Sequence, residues 1–262
     1  MEPYATENIF EVVADEVDLR SFELKDRLEP SLWDDDEKID SDIRTRLLDI
    51  ADDFVDTLAT PWAKVKDVVL TGSIANYNWS RHSDIDLHIV IRYKDVWEKR
   101  TDFVKDYFNS KKKEWSEEHG DITINGYPVE ISVEDEDTPS KSTGVYSLKD
   151  DKWLREPGDI QDVSINKDYV KEKAAEYMNR IDDLLKEVEK EKDADKKMKS
   201  ADKLVKVFDK LKNHRKDGLA SKSGEMSSGN IIWKVLRRSG YLDELWDSVN
   251  KAYDLSMSIE RS

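Results

Sequence analysis

The chain has 262 residues, no cysteine, 59 acidic against 43 basic side chains and a net charge of −16. Without cysteine there is no disulfide, thiolate zinc site or cysteine nucleophile, and such usage agrees with a reducing compartment. The acidic balance argues against extended nucleic-acid binding, whose sequence-independent affinity comes from Lys and Arg, and no stretch approaches the roughly 18 apolar residues of a membrane span. The start, Met1 to Glu7, lacks the basic and apolar regions of a secretory leader, so a cytoplasmic protein is expected. This length suits two modest domains.

Residues 41–59 place Ile43, Leu47, Ile50, Ala51, Phe54 and Leu58 at helical spacing. A short strand, Val65 to Leu70, then runs into Thr71-Gly72-Ser73, read as a strand-to-helix turn. In the next strand Ile85, Leu87, Ile89 and Ile91 point to one face, while Asp84, Asp86 and His88 point to the other. Residues 95–118 read as a charged helix with Val96, Phe103, Val104, Tyr107 and Phe108 inward, and Lys111 to Lys113 as a solvated face.

Asn125-Gly126 between alternating runs signals a hairpin. Its second strand sets Tyr127, Val129, Ile131 and Val133 on one face and Glu130, Ser132 and Glu134 on the other, and Glu134 to Asp137 read as a solvated acidic turn. Past the Ser/Thr/Lys stretch that follows Pro139, Val145 to Leu148 and Trp153-Leu154 read as a further hairpin. Pro157-Gly158 marks a boundary between domains at 1–157 and 158–262.

From Lys167 on the pattern is helical. One face runs from Tyr169 to Val188 and another from Met198 to Leu211, with a mixed-charge turn between them. Residues 213–229 are polar and rich in Gly and Ser, the composition of a mobile loop. Ser228 is placed to cap a helix with Ile231, Ile232, Val235 and Leu236 inward, Gly240 to end it, and residues 241–259 to form a last helix. Lys234 and Arg238 share a face of the capped helix one turn apart and are candidates for binding an anion.

The chemistry concentrates at two places fixed by one connection. Carboxylates at i and i+2 of a strand form a perch for a divalent metal, and backbone N–H groups at the Gly72-Ser73 turn suit a phosphate. Arg81 and His82, just before Asp84, add two basic side chains close to this pair. His88 shares the acidic face, where a structural role is the stronger reading.

Thr71-Gly72-Ser73 followed by Asp84-Ile85-Asp86-Leu87 resembles the signature of the nucleotidyltransferase superfamily typified by DNA polymerase beta. The stretches Leu28 to Trp33, Ser73 to Ser80, Asp86 to Val90, Ser142 to Leu148 and Lys152 to Leu154 are similar to phage-encoded and bacterial predicted members. The resemblance implies an α+β fold, with a small mixed β-sheet flanked by helices and a C-terminal helical domain. It implies magnesium or manganese held by Asp84, Asp86 and a third acid on a neighbouring strand, for which Glu130 is the candidate. A nucleoside triphosphate such as ATP would rest on Gly72, Ser73, Arg81, Lys234 and Arg238, and its nucleoside monophosphate would pass to a small molecule, a tRNA end or a protein. In many members the third acid is Asp, so Glu130 brings a longer arm. A protein that keeps the fold and binds nucleotide without turnover is the alternative.

Overall fold

The computed structural model describes residues 11–138, 142–158 and 165–258. The expectations for Met1 to Glu7, for Pro139 to Lys141 and for Ile259 lie outside the described residues. The chain divides into two compact units, one within residues 21–162 and the other made of residues up to 20 with those from 163 onward.

The first unit is built on a six-stranded sheet of order β3-β4-β2-β1-β5-β6. Strand β1 (Val65–Thr71) pairs antiparallel with β2 (Ile85–Ile91), and β2 pairs parallel with β4 (Tyr127–Asp135). β3 (Thr123–Ile124) and β4 form the expected hairpin, with Asn125 and Gly126 both at positive φ, as a tight two-residue turn requires. On the far side β5 (Val145–Ser147) and β6 (Lys152–Arg155) form the second hairpin.

The sequence dictates which face is dry. Ile85, Leu87, Ile89 and Ile91 alternate with polar residues along β2 and are all buried, joined by Val129 and Ile131 from β4. Helix α1 (Ser41–Thr57) adds Leu47, Ile50, Ala51 and Phe54 to this core, and its first turn is capped by the Asp40 carboxylate, which accepts from the amides of Asp42 and Ile43. The expected single helix over 95–118 is two elements, α2 (Tyr93–Trp97) and α3 (Thr101–His119). Val104, Phe108 and Trp115 of α3 face the core, with Trp115 edge-on to Phe54. The aromatics of the second hairpin are also core, Trp153 stacking on Trp33 with centroids 4.9 Å apart.

The second unit contains α4 (Lys167–Lys190), α5 (Ala194–Ala220), α6 (Ser228–Arg238) and α7 (Tyr241–Met257). Residues 11–20 belong here and not with the sheet: the Asn179 amide of α4 accepts from the Val12 N–H and donates to the Val12 carbonyl, at 2.8 and 2.9 Å.

The expected loop over 213–229 is mostly helix. α5 continues to Ala220, and two of the glycines read as loop signals, Gly218 and Gly229, are points of close contact between α5 and the start of α6. A Cβ on Gly229 would lie 2.3 Å from the His214 carbonyl, and one on Gly218 would lie 2.4 Å from the Ser227 hydroxyl. Arg215 lies over the Trp233 ring and donates to the Asn230 side chain, tying α5 to α6. The cap of α6 is Ser227, one residue earlier than expected, and Gly240 leaves the helix at φ +81°.

Candidate metal and phosphate site

β1 ends at Thr71 and the chain passes into Gly72 at φ +73°, ψ −162°, a conformation open to glycine and costly for other residues. Space makes the same demand: a Cβ at Gly72 would lie 1.7 Å from Oδ2 of Asp86. The carboxylate fills the volume a side chain would need. The expected helix beyond Gly72 is a single 3₁₀ turn, Ser73–Ala75.

Several side chains hold that turn. The Asn76 amide donates to the Gly72 carbonyl at 2.6 Å and the Trp33 indole to the Ile74 carbonyl at 3.0 Å, while Thr143 donates to the Asn76 side-chain oxygen. Gly144 admits the Ala75 carbonyl, which would lie 1.9 Å from a Cβ. The Ser73 hydroxyl shares a 2.7 Å hydrogen bond with that of Ser83, which also accepts from the Ser80 N–H. The Gly72-Ser73 turn and the segment leading into Asp84 are thus joined.

Register supplies the acids. Thr71, Asp86 and Glu130 stand opposite one another across β1, β2 and β4, and Asp84 immediately precedes β2. Asp84, Asp86 and Glu130 each offer an oxygen within 4.8 Å of the others; the two aspartates are half-buried and Glu130 is exposed. The Glu130 side chain keeps 49% exposure although it stands between apolar neighbours on β4. The cross-strand partnership with Asp86 is what brings it to the site.

This donor set fits a hard divalent cation. Carboxylate oxygens are the ligands magnesium and manganese prefer, and three like charges this close repel unless a cation joins them. The cradle of Gly72 against Asp86 adds that the acid is fitted closely into its place.

Beside the triad lies a groove of about 710 Å³ between α3 and the start of β4. Asp84 and Glu130 line it from the sheet, and Asn109, Lys112, Lys113 and Ser116 from α3. The Lys112 ammonium is 2.5 Å from Oε1 of Glu130. Lys111 to Lys113 are therefore not a uniform solvated face. Lys112 lies four residues after Phe108 and three before Trp115, both buried, so the helical period turns it toward the sheet. The signal was present but hidden in a run of three lysines. Ser83 and Asn76 were missed because polar residues in a loop carry no periodicity.

The other expected residues divide as follows. Arg81 is exposed in the loop before Asp84, its Nε donating to His82 at 3.1 Å. Lys234 and Arg238 lie on α6 of the helical unit, where the Lys234 ammonium is 3.3 Å from Glu225. His88 meets Glu134 at 2.7 Å, with 22% and 13% of their side chains exposed, which supports its structural reading. The expected solvated acidic turn is instead an ion-paired strand end: Glu136 faces Arg92, Asp137 faces Lys94, and Asp135 accepts from the Tyr93 N–H. Burial, reinforced by Asp135 and Glu134, pushes the Tyr93 hydroxyl up to about 12, and that hydroxyl donates to the Val133 carbonyl.

Comparison with protein families finds one described as nucleotidyltransferase domain matching residues 51–217, a span that contains the Gly72-Ser73 turn, all three acids and Lys112. No curated protein and no solved structure matches the chain.

Proposed function

Because this chain belongs to the nucleotidyltransferase domain family, we propose that it transfers a nucleoside monophosphate from a nucleoside triphosphate to a hydroxyl-bearing acceptor and releases pyrophosphate. The observation that carries this reading is the meeting of Asp84, Asp86 and Glu130 beside the Gly72 turn. Asp84 and Asp86 would hold magnesium or manganese, with Glu130 completing the acceptor side; the cation supplies charge neutralisation of the triphosphate and acidification of the acceptor hydroxyl.

The chain's own residues position and orient. Gly72 lets the backbone approach the triphosphate closely, and Ser73 donates to a non-transferred phosphate once its hydrogen bond with Ser83 is exchanged. Arg81 approaches the leaving pyrophosphate from its exposed loop. In the transfer the acceptor oxygen bonds to the α-phosphorus, the bond from that phosphorus to the α–β bridging oxygen breaks, and the acceptor proton passes to solvent by way of the Glu130 carboxylate. In-line placement and charge stabilisation do most of the work in phosphoryl chemistry, so no covalent protein nucleophile is needed.

The test is incubation of the full chain with α-labelled nucleoside triphosphates, magnesium and separate pools of metabolites, RNA and proteins. Label in one pool, lost in Asp84→Asn, identifies the acceptor class. Nucleotide binding with no label in any pool favours the non-catalytic alternative.

A further inference from the structure

Resting on that reading, we propose that Lys112 is an exchangeable counter-ion of the third acid: it holds Glu130 until metal enters, then turns into the groove to bind an anionic group, such as a phosphate, on the acceptor. The first half follows from charge. One carboxylate cannot serve a divalent metal and an adjacent ammonium without like-charge repulsion between them. The pair is open enough to exchange, with 29% of the Lys112 side chain and 49% of the Glu130 side chain exposed. An ion pair this accessible is weak and is readily traded for a stronger partner.

The second half follows from what else lines the groove. Its charged side chains are Asp84, Glu130, Glu117, Lys112 and Lys113, and His82 lines it as well. Once metal takes Asp84 and Glu130, Lys113 still has Glu117 at 3.8 Å. Lys112 is then the lysine whose partner has been taken, directly beside the reacting end of the acceptor. Asn109 and Ser116, a helical turn before and after it on α3, add neutral hydrogen-bonding groups. A cation flanked by an amide and a hydroxyl suits a phosphate oxygen better than the ammonium groups of a polyamine or amino sugar.

Manganese titration of the full-length protein, followed by electron paramagnetic resonance, tests the exchange without turnover. Lys112→Met is expected to bind manganese about two- to fivefold more tightly than the parent chain, the scale of one partly exposed ion pair. Lys112→Arg, which keeps the competing charge, is expected to match the parent. Unchanged or weakened binding in Lys112→Met overturns the counter-ion role.

The acceptor half is tested by saturation-transfer NMR with ribose 5-phosphate and ribose, in manganese-free buffer containing magnesium and a non-hydrolysable triphosphate. Contact by ribose 5-phosphate but not ribose, lost in Lys112→Met and kept in Lys112→Arg, is expected. Equal behaviour of the two sugars, or no effect of Lys112→Met, overturns it. If the parent chain binds no manganese, or binds it equally in Asp84→Asn, the proposed transfer itself fails. Asp84-dependent manganese binding that ignores Lys112 defeats this inference alone.

Discussion

Strand β4 carries acids at both ends, and the two ends are furnished differently. At its close Glu134, Glu136 and Asp137 face His88, Arg92 and Lys94. At its start Glu130 is set against two further acids, Asp84 and Asp86, and meets Lys112 on its outer side. The first arrangement balances charge within the protein; the second gathers like charge and leaves the balance to something brought from outside. Clusters whose ionised forms disfavour one another mark functional sites because structure alone gives no reason to build them.

Neutralising an acid at the gathered end should therefore cost function and not stability. Asp84→Asn and Asp86→Asn are each expected to reduce magnesium-dependent pyrophosphate release at least about a hundredfold, the scale of losing a major electrostatic contribution. Thermal midpoints should stay level or rise, since repulsion is relieved. Parent turnover that persists in excess EDTA would break the comparison outright. Gly72→Ala probes the same end sterically. With φ at +73° and the Asp86 carboxylate in the Cβ position, it should lower stability by roughly 1–3 kcal/mol through strain and displace Asp86, reducing pyrophosphate release even where the protein remains folded.

Glu130→Gln against Glu134→Gln contrasts the two ends on one strand. Glu130→Gln is expected to slow turnover at saturating triphosphate more than it raises the KM for triphosphate if Glu130 has the proposed acceptor-side role. Glu134→Gln should leave turnover intact and cost about 0.5–1.5 kcal/mol of stability in chemical denaturation, as the hydrogen bond to His88 is weakened. A crippling Glu134→Gln with a silent Glu130→Gln would reverse the assignment.

The smallest effect lies at the balanced end and depends on pH. The Tyr93 hydroxyl, held neutral by burial and neighbouring acids, titrates at about 12 in the folded chain, against an ordinary value near 10. Its folded pKa is raised, so its contribution is fully present below about pH 10 and is lost as pH rises toward 12. Tyr93→Phe should flatten the fall of the thermal midpoint across that window relative to the parent chain.

The sheet was legible because its residues obey a single period. Alternation along Ile85 to Ile91 and along Tyr127 to Val133 placed the core on one face, and the Asn125-Gly126 turn set the phase of β4. The three acids followed from that phase together with family resemblance. What escaped were features decided by contact between elements. Lys112 takes its role from a strand that approaches α3 only in the folded chain. The polar run at 213–220 is helical because Gly218 and Gly229 let α5 and α6 approach, and a glycine at a helix contact looks in sequence like a glycine in a loop. The acidic run after Val133 looked solvated because its cations, Arg92 and Lys94, stand on another segment.

The parallel pairing of β2 with β4 also orders events in time. In chain order Asp84 and Asp86 belong with the local β1–β2 pair, whereas Glu130 lies on a strand that is made only after α2 and α3 and that runs in the same direction as β2. Such long-range parallel pairing is among the slower steps of folding. A ribosome-bound chain with its first two acids in place still lacks the third, so the full carboxylate set is assembled only when the far side of the sheet has closed.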